Sequence, residues 1–120
     1  MIKIYDLIAH QEWDDIVRSF ADYDVYYLSG YVRAFYAHGD GEPQLLYYTS
    51  EQLRAIYVYM KRPTTITNVY DSVTPYGYGG VLFEGDKSDQ SLSDFWKEYI
   101  QKMNDENIID NFVRYHPVLE

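Results

Sequence analysis

Cysteine is absent from the 120-residue sequence, and long apolar runs are missing as well. Without cysteine the chain forms no disulfide, holds no metal through thiolates and has no cysteine nucleophile. No segment approaches the roughly 18 consecutive apolar residues of a membrane span, and the N-terminus lacks the basic and then apolar pattern of a signal peptide. We therefore predict a cytoplasmic protein without a membrane span.

Basic residues are also few. Ten Lys and Arg stand against 19 Asp and Glu, which gives a formal net charge of −9. Binding to phosphate backbones requires clustered basic side chains, and the only adjacent basic pair is Lys61-Arg62. A negative surface repels nucleic acid, so we predict no direct nucleic-acid binding.

Tyrosine, in contrast, is abundant: the chain has 15 Tyr, and aromatic residues make up 18% of it. Tyrosine combines a large apolar ring with a hydroxyl group, so it suits a packed core as well as a binding surface. With 47% hydrophobic residues the chain can form one packed core. We predict a single domain over residues 1–120.

Apolar residues recur at helical spacing in three segments, each of which we predict to be a helix. The first helix has an apolar face of Trp13, Ile16, Val17 and Phe20 and a polar face of Glu12, Asp14, Asp15 and Arg18. The second runs from the N-cap Ser29 to Gly39. The third is capped by Ser91 or Ser93, and its apolar face consists of Leu92, Phe95, Trp96, Tyr99, Ile100 and Met103.

Strands are predicted at Ile2–Tyr5, in a hairpin of Gln44–Thr49 and Leu53–Lys61, and at Asn111–Tyr115, while Thr64–Tyr70 fits a strand or an irregular crossing. Leu53–Lys61 is apolar on both faces, which places it in the covered middle of a sheet. One face consists of Leu53, Ala55, Tyr57 and Tyr59, and the other of Ile56, Val58 and Met60. The third helix followed by a last strand predicts a crossover, parallel final strands and a mixed α/β fold.

The three histidines are candidates for acid–base chemistry. His10 and His38 lie at predicted helix ends, where we interpret them as surface residues. His116 follows a predicted strand, where it is either a titratable group at a ligand-binding edge or part of a strand stop with Pro117. A metal site would need His116 with Asp71 or Asp110, whose separation nothing in the spacing determines, so we predict none.

The sequence from Asp24 to Pro117 resembles the N-terminal lobe of the Fem-type peptidoglycan interpeptide-bridge enzymes, two-lobed transferases of the GNAT (N-acetyltransferase) superfamily. The resemblance rests on four segments in order: Asp24-Val25-Tyr26-Tyr27, Thr74-Pro75-Tyr76-Gly77-Tyr78-Gly79-Gly80, Phe95-Trp96 and Phe112-Val113-Arg114-Tyr115-His116-Pro117. It implies one GNAT-like lobe, with a mixed sheet, two N-terminal helices and one crossover helix before a last parallel strand. In that family the second lobe is expected to carry much of the acyl-donor site, and the chain ends at Glu120 after the first.

A GNAT lobe holds the pyrophosphate of coenzyme A with a glycine loop at a helix N-terminus. Here ten residues separate Gly80 from Ser91, and among them Glu84, Asp86 and Asp89 repel a pyrophosphate. We therefore expect this lobe alone to bind no cofactor; acetyl-CoA or aminoacyl-tRNA is implied only by the resemblance. No nucleophile elbow, Walker loop or dinucleotide fingerprint is present, and no catalytic residue is assigned.

The glycine segment then has two interpretations. It is either a bend by which the chain leaves the sheet or one wall of an acceptor cleft, whose candidate residues are Tyr76, Gly77, Tyr78, Gly79, Gly80, Arg114 and His116. Three functions follow: a GNAT-like lobe that contributes to acceptor binding without being catalytically complete, a tyrosine-rich interaction module, or a small N-acetyltransferase using acetyl-CoA. The missing phosphate loop disfavours the third. Expected partners are a second copy in a homodimer or a second GNAT-like lobe.

Overall fold

A computed structural model gives the fold, and it describes residues 1–37, 41–73 and 80–110. Its helices are α1 (His10–Arg18), α2 (Ser29–Ala37) and α3 (Asp89–Asp105), with 3-10 turns at Leu7–Ala9 and Val25–Tyr27. Its strands are β1 (Ile2–Tyr5), β2 (Glu42–Thr49), β3 (Leu53–Pro63), β4 (Tyr70–Val73), β5 (Leu82–Gly85) and β6 (Ile108–Asp110). The alternation of strands and helices confirms the mixed α/β class.

The six strands form one sheet in the order β1-β2-β3-β4-β6, with β5 also paired to β3. The predicted hairpin is confirmed, since β2 and β3 are antiparallel with Thr49 opposite Arg54 and Glu42 opposite Lys61. The described pairs are antiparallel except β4 with β6, which are parallel and lie on either side of α3 in the chain. The parallel pair reached after a helix agrees with the predicted crossover.

Strand β3 is the centre of the molecule and is covered on both faces, as its two apolar faces predicted. Leu53, Ala55, Tyr57 and Tyr59 pack into a core with α3, whereas Ile56 and Val58 pack into a second core with α1 and α2. Burying a side chain of this size contributes about 1.5–3 kcal/mol relative to leaving it exposed. Two cores on one strand therefore hold both helical layers to the sheet.

The helices on the first face are joined by a cap that crosses from one to the other. Trp13, Val17 and Phe20 are buried as predicted. Asp14 was predicted to face water, but its carboxylate accepts hydrogen bonds from the backbone N–H and the hydroxyl of Ser29, each at 2.8 Å. Ser29 is the first residue of α2 and not the residue before it. The predicted N-cap is therefore wrong, because the capping carboxylate comes from α1.

Helix α3 covers the other face through Phe95, Trp96, Tyr99 and Met103, all of which are buried. Ile100 was predicted on the same face but is 50% exposed, because it lies at the edge of the apolar stripe. The N-cap is also different from the predicted Ser91 or Ser93: Ser88 caps the helix by accepting a hydrogen bond from the N–H of Ser91.

The chain after α3 turns at Asn107, whose φ of +58° is in the left-handed region. Asparagine adopts this conformation at a lower cost than most other residues. Strand β6 follows at once, ahead of the predicted strand Asn111–Tyr115, which lies outside the described residues. Residues 64–69 form a turn, so of the two alternatives for Thr64–Tyr70 the irregular crossing is right.

Candidate functional site between β4 and β5

Strands β4 and β5 pair with the same edge of β3, one at each end. Met60 of β3 lies opposite Val73, and Ile56 lies opposite Leu82. Between these pairs β3 has three residues, 57–59, and the segment that joins β4 to β5 has eight, 74–81, of which 74–79 lie outside the described residues. The glycine segment therefore joins two strands that pair with the same edge of β3.

Gly80 is the one predicted site residue that lies within the described part of the chain. Its φ is +130°, and a Cβ at this position would have no neighbour within 4 Å. Glycine is thus favoured here by the backbone angle and not by crowding. The remaining predicted site residues lie outside the described residues: Tyr76, Gly77, Tyr78, Gly79, Arg114 and His116.

The hydroxyl of Tyr27 donates a hydrogen bond to the backbone carbonyl of Gly80 at 3.2 Å. The same tyrosine accepts a hydrogen bond on its own carbonyl from the indole Nε1 of Trp13 at 2.7 Å. Because Trp13 is fully buried, this bond anchors the 3-10 turn on α1. Tyr27 therefore connects the first helix to the C-terminal end of the glycine segment.

The electrostatics around Tyr27 keep its hydroxyl protonated. Burial raises the pKa of the Tyr27 phenol, and the negative charge of Asp24 raises it further. A neutral phenol remains a hydrogen-bond donor, which suits the contact with the Gly80 carbonyl. Tyr27 is thus a positioning group and is poorly suited to act as a base near neutral pH.

Aromatic and apolar side chains continue from Tyr27 across the surface. The rings of Tyr26 and Tyr31 meet edge to face with centroids 4.9 Å apart. Nearby in the chain, Tyr23 is 38% and Val25 is 54% exposed. We call these four residues, Tyr23, Val25, Tyr26 and Tyr31, the aromatic surface. Such a combination of rings and partly accessible apolar area is typical of binding surfaces.

Two acids of the segment after Gly80 have local partners. Glu84 forms an ion pair with Arg54, with the Arg54 Nε 3.0 Å from the carboxylate, and accepts a hydrogen bond from the N–H of Ala21 at 2.9 Å. The Ala21 hydrogen bond and then Arg54 lower the pKa of Glu84. The charge of Glu84 is therefore balanced, and its predicted repulsion of a pyrophosphate is weakened.

Asp86 lies three residues before the first residue of α3 and accepts hydrogen bonds from polar groups at the N-terminus of this helix. Its carboxylate accepts hydrogen bonds from the hydroxyls of Ser91 at 2.8 Å and Ser88 at 2.9 Å, and from the N–H of Ser88 at 3.1 Å. These bonds, that of Ser91 first, lower the pKa of Asp86. A carboxylate of the chain itself thus lies at a helix end where anions are stabilised.

The other chemical candidates do not converge in the described part of the chain. His10 is the first residue of α1, at a helix end as predicted, whereas His38 lies outside the described residues with His116. Asp71 forms an ion pair with Arg62 at 2.8 Å. Within residues 1–37, 41–73 and 80–110 no group of three or more His, Cys, Asp or Glu side chains could hold a metal.

No described helix is long and apolar enough to cross a membrane. A comparison with known protein families finds no match, and neither curated proteins nor solved structures contain a significant match. The resemblance to the Fem-type enzymes therefore stays a prediction. The contact between Tyr27 and Gly80 was not foreseen, because these residues are 53 positions apart and no local pattern signals their contact.

Proposed function

We propose that this chain is a GNAT-like lobe of a Fem-like acyl or aminoacyl transferase, which contributes to acceptor binding and is not catalytically complete alone. The order of elements supports the proposal: one strand, two helices, antiparallel strands, and a helix leading to a strand parallel to β4. The resemblance implies two N-terminal helices and a crossover helix before a last parallel strand, and this coarse order is consistent with it, although the other described strand pairs are antiparallel. Because a fold supports many functions, the site must carry the rest of the argument.

The hydrogen bond from Tyr27 to the Gly80 carbonyl is the observation that carries the proposal. It joins two of the segments on which the resemblance rests, Asp24–Tyr27 and the glycine segment. The aromatic surface adjoins Tyr27 in the chain, and Gly80 lies in the segment that joins β4 to β5. An acceptor bound there would meet tyrosine rings and backbone groups, which offer apolar contact and hydrogen bonds.

Helix α3 supports the view that this lobe alone does not hold coenzyme A. Asp86 takes the hydroxyls of Ser88 and Ser91 at the N-terminus of this helix. A pyrophosphate at the same place would meet a negative carboxylate at close range. The acyl donor would then be held by a second lobe, as the resemblance implies.

A soluble peptidoglycan stem peptide is the probe for acceptor binding, followed by NMR of the ¹⁵N-labelled chain. We expect amide shifts at Tyr26, Tyr27 and Gly80. Tyr27→Phe, which removes the hydrogen bond to the carbonyl of Gly80, should weaken binding, whereas the control Tyr70→Phe should not. Tyr70 packs under the ammonium of Lys61, 4.5 Å from its ring centroid, and belongs to a different cluster.

Two further variants test the predicted site residues outside the described part. Tyr78→Ala and His116→Ala should each reduce binding of the stem peptide while the circular dichroism spectrum is retained. If the stem peptide causes no shifts, or if all these variants bind it as the parent chain does, the acceptor site is wrong. Binding of acetyl-CoA to a monomer, seen by calorimetry with light scattering, would instead favour the small N-acetyltransferase.

The aromatic surface favours a second candidate, an interaction module that self-associates. Tyr23 and Val25 expose apolar area that a partner copy could bury. In that case light scattering should give a dimer that acetyl-CoA does not change, and Val25→Asp should return it to a monomer. Ile66→Asp, at an exposed residue of the turn before β4, is the matched control. A monomer at all concentrations would contradict this candidate.

A further inference from the structure

We infer that a cavity beside the start of β2 binds a cationic α-amino acid. The cavity has a volume of about 360 Å³ and is lined by Asp6, Leu7, Ile8, Arg33, Glu42 and Pro43. This volume falls within the roughly 300–1,000 Å³ of small-molecule sites. The inference does not depend on the proposed acceptor site, because the two places share no residue.

The topology places the cavity and the glycine segment on different sides of β3. Two of the lining residues, Glu42 and Pro43, belong to β2, which lies between β1 and β3. Strands β4 and β5, which the glycine segment joins, pair with the other edge of β3.

The charged groups around the cavity have opposite signs but form no ion pair with one another in the described chain. The four ion pairs found among the described residues involve other groups, so neither Asp6 nor Glu42 lies within 4.0 Å of the Arg33 guanidinium. Both hydrogen bonds to the Asp6 carboxylate, from the N–H groups of Ile8 and Ala9, end on Oδ1. Within the described chain Oδ2 therefore has no donor.

Separated positive and negative side chains in the cavity suit a ligand that has both a negative and a positive group. A guanidinium binds a carboxylate in a bidentate manner, and Asp6 or Glu42 can accept an ammonium. Among the described lining residues, two carboxylates and one guanidinium give a net charge of −1, so this part of the site favours a ligand of net charge +1. An α-amino acid with a cationic side chain has one carboxylate and two cationic groups, which is the matching set.

The apolar part of the lining suits the carbon chain of such a ligand. Ile8 is 92% exposed, the most exposed of the large hydrophobic residues in the described chain. Leu7 and Pro43 are its apolar neighbours in the lining. The methylene groups of a lysine-like side chain would cover Ile8 and remove this area from water.

The test is an NMR titration of the ¹⁵N-labelled chain with free L-lysine up to tens of millimolar. We expect shifts confined to the amides of Leu7, Ile8, Arg33 and Glu42. Arg33→Gln should weaken binding by about tenfold or more, since a hydrogen bond to a charged group contributes about 1.5–3 kcal/mol. Glu42→Gln should also weaken it. Arg18→Gln, at an exposed arginine of α1 outside the cavity, is the matched control and should bind as the parent chain does.

Related ligands distinguish recognition of both charges from attraction of any cation. Cadaverine has two amines but no carboxylate, and L-glutamate has net negative charge; both should bind more weakly than L-lysine. The inference is wrong if L-lysine causes no shifts at the cavity, if cadaverine binds as tightly as L-lysine, or if Arg33→Gln leaves the affinity unchanged. Arg33 and Glu42 are exposed, so neither variant should prevent folding, and circular dichroism checks this.

Discussion

The cap between α1 and α2 gives a sharp prediction for stability. Asp14→Ala removes both hydrogen bonds to Ser29, each 2.8 Å long. Loss of a helix cap costs about 0.5–2 kcal/mol, and loss of the negative charge near the helix N-terminus costs about 0.3–1 kcal/mol more. Because Asp14 is half-buried, solvent screens only part of this effect. We expect the cap to contribute about 1–2 kcal/mol in total.

Asp14→Ala also raises the helix propensity at this position, and this stabilising effect must be separated from the loss of the cap. Alanine has a higher helix propensity than aspartate by roughly 0.6 kcal/mol. The adjacent Asp15→Ala is the matched control, because Asp15 is exposed in the same helix and takes no part in the cap. Asp15→Ala should therefore be neutral or slightly stabilising, and the difference between the two variants measures the cap.

The assay is chemical denaturation, with thermal unfolding as a second measurement. In a domain of this size a loss of 1 kcal/mol lowers Tm by roughly 4 °C, so Asp14→Ala should melt several degrees below Asp15→Ala. Ser29→Ala completes a double-mutant cycle in which the effects of Asp14→Ala and Ser29→Ala should not add. Equal stability of the two aspartate variants would refute the interhelical cap.

Three further predictions concern other parts of the fold. Glu84→Gln should reduce the loss of stability in acid. The lowered pKa of the Glu84 carboxyl means that it stabilises the fold above the usual pKa of glutamate, and this contribution is lost as the pH falls through the lowered pKa. Denaturation midpoints measured as a function of pH test this. Gly85→Ala should destabilise the fold by roughly 1–3 kcal/mol, because the φ of Gly85 is +114° and a Cβ would collide with a backbone carbonyl of the β2–β3 turn. Gly30→Ala in α2 is the control and should not destabilise the fold. Equal Tm values for the two variants would contradict this. Tyr59→Phe should cost about 1–3 kcal/mol in denaturation, because it removes the buried hydrogen bond to the Gln44 amide oxygen; an unchanged midpoint would show that another donor replaces it.

The sequence predicted the elements whose signal is local and periodic. Alternation on both faces of β3 placed this strand in the middle of the sheet, and helical spacing placed Trp13, Val17 and Phe20 on a buried face. Such patterns follow from the geometry of a strand or helix alone. The three helices, strands β1 to β3 and the class of the fold could therefore be predicted, whereas β4 and β5 were not predicted as strands.

The contacts between distant segments could not be predicted in the same way. The ion pair of Arg54 with Glu84 spans 30 positions, and no sequence period signals it, because it depends on how the elements meet after folding. The cap of α3 is a local contact that was also missed: Ser91 or Ser93 was predicted, whereas Ser88 caps the helix and donates its hydroxyl to Asp86.

The acidic segment after the glycines shows why charge alone was too coarse an argument. The sequence treats Glu84, Asp86 and Asp89 as equal sources of repulsion for a pyrophosphate. In the structure Glu84 is paired with Arg54, whereas Asp86 lies at the N-terminus of α3 and accepts the hydroxyls of its first turn. A phosphate at this helix end would have to displace Asp86 and break those hydrogen bonds, so this one carboxylate is the main charge argument against a phosphate bound there.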